Sequence, residues 1–149
     1  MEHIAVVEVA FDSDIYKQVY FLRNEVLRKP IGLSLDDEDL SAEVNDHILA
    51  AVDKEEVIGC LILTPINKNT LQLRQMAVAD QWQKKGLGSL LVKKAEQLTI
   101  EKGYSKILLH ARIVARNFYQ KLGYSEVGTL FTEVGIDHIK MEKSIIETV

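Results

Sequence analysis

The stretch Gln83-Lys84-Lys85-Gly86-Leu87-Gly88-Ser89 decides the fold that the sequence predicts. Before it, residues 71–78 alternate apolar and polar side chains, which is typical of a half-buried strand. After it, leucine and alanine recur at helical spacing over residues 87–98. Glycines let the backbone approach a ligand closely, and the free N–H groups at a helix start suit phosphate. We therefore expect a phosphate-binding turn, although spacing alone also allows a tight turn with solvated lysines.

Two familiar phosphate-binding loops do not match this stretch. A P-loop needs a lysine and then Ser or Thr directly after its last glycine, whereas Gly88 is followed by Ser89-Leu90. A dinucleotide fingerprint needs a third glycine or alanine three residues after the second glycine, and Leu91 stands there. The sequence therefore disfavours ATP and NAD as ligands.

The rest of the chain alternates strand and helix patterns around this turn. We predict strands at 4–10, 47–52, 57–63, 71–78 and 106–111, and two β-rich runs within 125–146 that are broken near Gly135. Predicted helices run through 15–26, with Lys29-Pro30 as the stop, through the stripe that follows Gly86, and through 114–122. Residues 32–43 are acidic and read as a loop holding one short helix. This order predicts an α/β domain whose sheet is mostly antiparallel at its start.

Composition excludes several classes of protein. The 149 residues suit one domain, and 47% hydrophobic with 27% charged residues is the balance of a globular protein. A net charge of −4 argues against nucleic-acid binding and fits a modest preference for cationic partners. No apolar run approaches the ~20 residues that cross a bilayer. A single cysteine, Cys60, leaves no internal disulfide or cysteine zinc cluster. We expect a cytoplasmic protein without membrane, nucleic-acid or metal partners.

Two motifs together resemble one family. Residues 73–78, the turn at 83–88 and the leucine-rich helix resemble the acetyl-CoA-binding core of the GCN5-related N-acetyltransferases (GNAT). The loop of that family reads Arg/Gln-x-x-Gly-x-Gly/Ala, which Gln83, Gly86 and Gly88 match. A second hallmark of the family, A…(F/L)Y…LG(F/Y), is matched by Ala115, Phe118, Tyr119, Leu122, Gly123 and Tyr124. Both motifs occur in the family's order, and with the order of elements the resemblance covers nearly the whole chain.

The resemblance implies a fold and a cofactor site. The fold would be a single GNAT domain over residues 1–149, an α/β fold with a mixed, bent sheet of about seven strands and about four helices. The sheet would splay open between its fourth and fifth strands. Coenzyme A would lie there, with its pantetheine arm on the backbone of the strand and its pyrophosphate on the turn. The cofactor-binding residues so implied are Met76, Ala77, Val78, Gln83, Lys84, Lys85, Gly86, Leu87, Gly88 and Ser89.

The implied activity is transfer of an acetyl group from acetyl-CoA directly to a primary amine. The acceptor would be a small molecule or a peptide, and a homodimer is compatible with the resemblance. Tyr119 matches the family's tyrosine that protonates the leaving sulfur; alternatively it is a core residue. Some members carry a glutamate base on the fourth strand, where this chain has Gln72. That departure leaves room for a different function, a non-catalytic acyl-CoA-binding or sensing module.

Other candidates for the base and for acceptor contacts come from the residues themselves. His110 ends the fifth strand and is a candidate base, because histidine titrates near neutral pH. Glu133 and His138 flank the last turn, where acceptor sites of the family often form, and are further candidates for the base and for binding the acceptor. On the first helix Arg23, Glu25 and Arg28 either contact the acceptor or form a solvated charged face. Arg112 stands where the family often has an asparagine.

Overall fold

A single mixed β-sheet organises the molecule. The structure is a computed structural model that describes residues 3–146, and its sheet has the strand order β1-β2-β3-β4-β5-β7-β6. The strands are β1 (Ile4–Val9), β2 (His47–Asp53), β3 (Glu56–Pro65), β4 (Thr70–Val78), β5 (Lys106–Arg112), β6 (Ser125–Glu133) and β7 (Ile136–Ser144). The α-helices among the described residues are α1 (Asp14–Arg23), α2 (Leu87–Glu101) and α3 (Arg116–Lys121).

Helices cover both faces of the sheet because the central strands are apolar on both sides. Successive residues of a strand point to opposite faces. In β3, Ile62 packs with Val19 of α1, whereas its neighbour Leu61 packs with Leu91 of α2. All four side chains are fully buried. The Ser13 side chain caps α1 by accepting from the backbone N–H of Tyr16 at 3.2 Å.

A bulge in β4 and the divergence of β4 from β5 position the functional site. Cys60 pairs with Ala77 and Ile62 pairs with Arg74, so β4 carries one more residue than β3 between these pairs. Gln75 lies in this bulge with a φ of 56°. The parallel pairing of β4 with β5 extends only to Leu73 and Leu109. Beyond that point the strands separate and the sheet opens, as the family resemblance implied.

Short turns replace some of the expected helix. The α-helical part of α1 ends at Arg23, and residues 24–28 form a π-helical turn in which the N–H of Lys29 donates to the carbonyl of Asn24. The Asn24 side chain accepts from the backbone N–H of Leu35 at 2.8 Å, which holds the following loop against this turn. That loop contains 3₁₀ turns at Leu35–Asp37 and Ser41–Asn45, so the described residues contain three α-helices where we expected about four.

Candidate active site

A cleft of about 270 Å³ lies between the diverging ends of β4 and β5. Residues of both strands form its walls, and α3 contributes Tyr119. The π-helical turn contributes Leu27 and Arg28, and the β6–β7 turn contributes Glu133 and Val134. The bulge and the divergence of the strands therefore create the central cleft, and elements from both halves of the chain complete it.

Beside this cleft, the turn that precedes α2 presents a row of free backbone N–H groups. Among the described residues, no N–H from Lys84 to Ser89 donates to a protein acceptor. Gly86 caps the helix with a φ of 85°, a conformation that glycine adopts without strain. The N-terminus of a helix of 15 residues adds a positive dipole end. We call residues 84–89 the anion cradle, because these features suit a phosphate or pyrophosphate group.

Gly88 in the anion cradle leaves little room for a side chain. A Cβ at this position would lie 3.2 Å from Cζ of Phe118 and 3.8 Å from Cε of Met76. Phe118 belongs to the second motif of the sequence, so the two motifs meet in space at this glycine. The glycine therefore lets α2 and α3 approach each other next to the open end of the sheet.

Gln83 connects the anion cradle to the end of β4. Its side-chain amide donates to the carbonyl of Val78 at 3.0 Å. On the side facing β3, Ala77 and Val78 pair with Cys60 and Gly59. On the side facing β5, no strand pairs with residues 76–78 among the described residues. This edge of β4 is therefore open to a ligand with amide groups, apart from the Val78 carbonyl that Gln83 occupies.

Tyr119 presents its phenol to the central cleft from α3. Its ring is 7% exposed and packs edge-on against Phe118 with 4.9 Å between the ring centroids. Its hydroxyl makes no hydrogen bond to any described residue. Burial raises the pKa of Tyr119, so the hydroxyl stays protonated at neutral pH and above. The site thus holds a hydroxyl that can donate a proton and from which no described residue accepts a hydrogen bond.

His110 and Glu133 form a pair that also lines the cleft. Nδ1 of His110 lies 2.9 Å from Oε2 of Glu133, and the ring of Phe131 packs edge-on against the imidazole at 5.0 Å. Because a carboxylate only accepts, the contact places the donor N–H on Nδ1, and Nε2 has no partner among the described residues. The sequence named the two residues for separate roles, and the structure brings them together at the cleft.

His138 is the second histidine that lines the cleft. It is 4% exposed, and its Nδ1 lies 2.8 Å from the carbonyl oxygen of Ile136. Phe131 stacks between His138 and His110, with 5.9 Å between the His138 and Phe131 ring centroids. The backbone carbonyl fixes the orientation of the His138 ring, which lines the cleft as a packed residue.

Two residues predicted on the first helix do not contact the central cleft. Arg23 is 0% exposed and binds both carboxylate oxygens of Glu43, at 2.9 and 2.8 Å. The expectation of a solvated charged face was therefore wrong for Arg23, because its charge is buried and paired. Glu25 forms an exposed pair with Lys29 at 2.7 Å and is not among the residues that line the cleft.

Arg74 and Gln75 line the cleft but were missed by the sequence analysis. Both lie within the first family motif. Knowing that β4 has a bulge at this point would have identified them as cleft residues. A single inserted residue turns the following side chains, and no feature of the sequence marks it. The single cysteine, Cys60, is fully buried. Burial raises the pKa of its thiol to about 12, so it does not serve as a nucleophile.

Residues 3–146 contain neither a candidate metal centre nor a candidate membrane-spanning helix. No group of three or more His, Cys, Asp or Glu side chains there is arranged to hold a metal ion. None of the helices in that part of the chain combines the length and the apolar character that crossing a membrane requires.

Comparisons with solved structures identify the class of fold. A crystal structure from Lactobacillus plantarum, provisionally titled an N-acetyltransferase, has a TM-score of 0.87 at 20% identity and covers 96% of this chain and 99% of its own. A GNAT family acetyltransferase from Elizabethkingia anophelis with acetyl-CoA bound has a TM-score of 0.74 at 22% identity, covering 97% and 99%. The fold is therefore that of the GNAT acyltransferases.

Sequence comparisons identify the family. The acetyltransferase (GNAT) domain family matches residues 25–145. A Bacillus subtilis protein with a provisional acetyltransferase description is 35% identical over 114 residues, which are 76% of each chain. The protein belongs to the GNAT acetyltransferase family. The chain spans about half the length of two other curated relatives, at 52% and 56%.

Proposed function

We propose that the protein is an acetyl-CoA-dependent N-acetyltransferase that transfers an acetyl group directly to a primary amine of a small molecule or peptide. The observation that carries this proposal is the central cleft itself. Tyr119, a proton donor, and His110, a candidate proton acceptor, line it, and the unpaired edge of β4 and the anion cradle lie next to it. The relatives named above support the chemistry, since acetyl-CoA is bound in one of them.

The residues present suit acetyl-CoA. The anion cradle, residues 84–89, would hold the pyrophosphate on its free N–H groups, with Lys84 and Lys85 adding positive charge. The open edge of β4 at residues 76–78 would bind the amides of the pantetheine arm. Gln83 would act indirectly by fixing the turn against Val78. When bound, acetyl-CoA supplies the acetyl group as a thioester.

The protein's own groups would manage two protons. Nε2 of His110 would accept a proton from the acceptor amine, directly or through a water, while Glu133 holds Nδ1 and stabilises the charge that forms. The Tyr119 hydroxyl holds a proton at Oη that it would donate to the leaving sulfur. Val78 N–H, or a neighbour on the open strand edge, would polarise the carbonyl. Glu133 and His138 also border the space left for the acceptor.

The test is turnover of acetyl-CoA in the presence of amines. Amino acids, amino sugars, polyamines and peptides would be incubated with acetyl-CoA and the protein, and both free thiol and acetylated product would be measured. We expect one class of amine to be acetylated with equal amounts of thiol and product. If coenzyme A binds but no amine is acetylated, the proposal fails and the alternative, a non-catalytic acyl-CoA-binding module, is supported.

A further inference from the structure

The central cleft is unusually basic for a protein of net charge −4. Three arginines line it, Arg28 from the π-helical turn, Arg74 from β4 and Arg112 from β5. Among the described residues, Glu133 is the one acidic residue that lines the cleft. Its Oε2 lies 2.9 Å from Nδ1 of His110. The sequence suggested a preference for cationic partners, and the charge of the cleft points the other way.

The three arginines differ in how their charge is compensated. Arg28 is paired with Glu38, with 2.7 Å between Nε and Oε2. Within residues 3–146, neither Arg74 nor Arg112 forms an ion pair. Arg74 approaches the hydroxyl of Thr64 at 3.4 Å, and it also acts on Asp46: burial raises the pKa of that carboxyl and the charge of Arg74 counteracts the rise. Among residues 3–146, Arg112 on β5 is therefore the cleft arginine without a nearby carboxylate partner, whereas Arg74 on β4 shares its charge with Asp46.

Arg112 lies beside the groups assigned to proton transfer. It is two residues from His110 along β5, so both side chains point to the same face of the sheet. It is also the cross-strand partner of His138 on β7, and directly opposed residues have Cβ atoms only about 5 Å apart. A guanidinium at this place binds a carboxylate well, because two N–H groups can donate to its two oxygens.

The cofactor does not account for this charge. In the proposed complex the phosphates of coenzyme A lie at the anion cradle, where two lysines and the N-terminus of α2 serve them. The pantetheine arm that would reach the cleft carries no charge. Because the cofactor brings no negative charge to Arg112, the remaining ligand that could neutralise this arginine is the acceptor, which would then carry an anionic group.

We propose that the acceptor is a primary amine that also carries a carboxylate, and that Arg112 binds this carboxylate, with Arg74 adding positive charge from the facing strand. This inference rests on the proposed acetyltransferase function. The volume of about 270 Å³ favours a small acceptor of the amino-acid type over a large one. The positive charge of the two arginines would also lower the pKa of an acceptor amine nearby. This favours the neutral amine, which is the form that reacts.

The experiment compares acceptors that differ only in the carboxylate. Free amino acids and short peptides with a free C-terminus would be assayed against their own carboxamides, which separates the two sources of the carboxylate. We expect the wild-type protein to prefer the acids, although the amides have the less basic and more readily deprotonated amine. Arg112→Gln should lower kcat/KM for the acids by about 10- to 100-fold, the value of one charged hydrogen bond, and change that for the amides little.

Three controls make the outcome specific. Arg116→Gln removes an arginine that pairs with Glu126 outside the cleft and should leave both kinds of acceptor unaffected. Arg112→Lys keeps the charge and should restore part of the preference. The dissociation constant of coenzyme A should be the same in all variants. If the wild type acetylates amines but prefers the amides, or if Arg112→Gln lowers both kinds equally, the inference fails while the acetyltransferase function stands. If no amine is acetylated, the proposed function itself fails.

Discussion

Tyr119 and His110 stand in surroundings that suit opposite directions of proton transfer. Tyr119 lies in an apolar setting that raises its pKa, and its hydroxyl borders the cleft without a hydrogen-bond partner in residues 3–146. His110 is partly exposed, and Glu133 holds one of its two nitrogens. A group that stays protonated suits a donor, and an imidazole with one nitrogen fixed by a carboxylate suits an acceptor. The environment of each side chain thus supports the role proposed for it.

Replacing Tyr119 with phenylalanine tests the donor role directly. Tyr119→Phe keeps the ring and its packing on Phe118, so we expect a small change in stability and in coenzyme A affinity. The value of kcat should fall by about 10²–10⁴-fold, the usual contribution of a positioned acid. Because burial raises the pKa of Tyr119, the loss should be similar across the neutral pH range. Steady-state acetylation and melting curves of both proteins measure this; an unchanged kcat would assign sulfur protonation to water.

At the scale of elements, the end of α1 is held by a buried ion pair. Arg23 binds Glu43 with both ends of its guanidinium, and the hydroxyl of Tyr16 donates to the same carboxylate at 2.6 Å. This network ties α1 to the 3₁₀ turn at Ser41–Asn45, on the far side of the loop that begins after the π-helical turn. Since the π-helical turn supplies Leu27 and Arg28 to the cleft, the ion pair positions one side of the site through the backbone.

Breaking this pair should be costly. In Glu43→Gln, Arg23 stays buried without a charged partner, which typically lowers the free energy of unfolding by about 3–5 kcal/mol. The matched control is Glu25→Gln, which breaks an exposed pair on the same segment and should cost less than about 1 kcal/mol. Urea unfolding of the three proteins measures both values. Equal effects of the two substitutions would contradict the structural role assigned to the buried pair.

The same region shows where sequence reasoning reached its limit. Helical spacing predicted α1 correctly up to Leu22, but the change from α-helix to π-helical turn at Asn24 depends on a side-chain contact with Leu35, which is remote in sequence. The burial of Arg23 depends on Glu43 in the same way. Spacing along a helix indicates which residues share a face, and it does not indicate which charged residue a later loop will cover.

At the scale of the whole molecule, the two motifs were sufficient to predict the fold. The glycine turn, the leucine-rich helix and the tyrosine helix form continuous segments with strong local signals, and they meet at Gly88 and Phe118. The opening between β4 and β5 follows from the same resemblance, whereas the strand order was not predicted and comes from the structure. The basic character of the cleft was not predictable, because its three arginines are separated by 46 and 38 positions along the chain and come together only through the topology of the sheet.

The central claim is that the anion cradle binds the pyrophosphate of coenzyme A in a molecule that folds without it. Ligand binding to the folded state stabilises by about 2.7 kcal/mol when the ligand is at 100 times its Kd. For a chain of 149 residues this corresponds to a rise in Tm of roughly 5–10 °C. Pantetheine lacks the pyrophosphate and should give a much smaller rise at the same concentration. Gly88→Asp adds bulk and negative charge to the cradle. Gly128→Asp adds the same charge away from the cradle, where no atom lies within 4 Å of the new Cβ, although the φ of 78° there strains any residue other than glycine.

The most direct measurement is therefore calorimetric titration of coenzyme A and of pantetheine into the wild type and these two variants, each first shown to be folded by its melting curve. The account predicts that coenzyme A binds the wild type and Gly128→Asp far more tightly than pantetheine does, and that Gly88→Asp loses this advantage. Coenzyme A that fails to bind the wild type at millimolar concentration, or that binds a folded Gly88→Asp as tightly as the wild type, would contradict it.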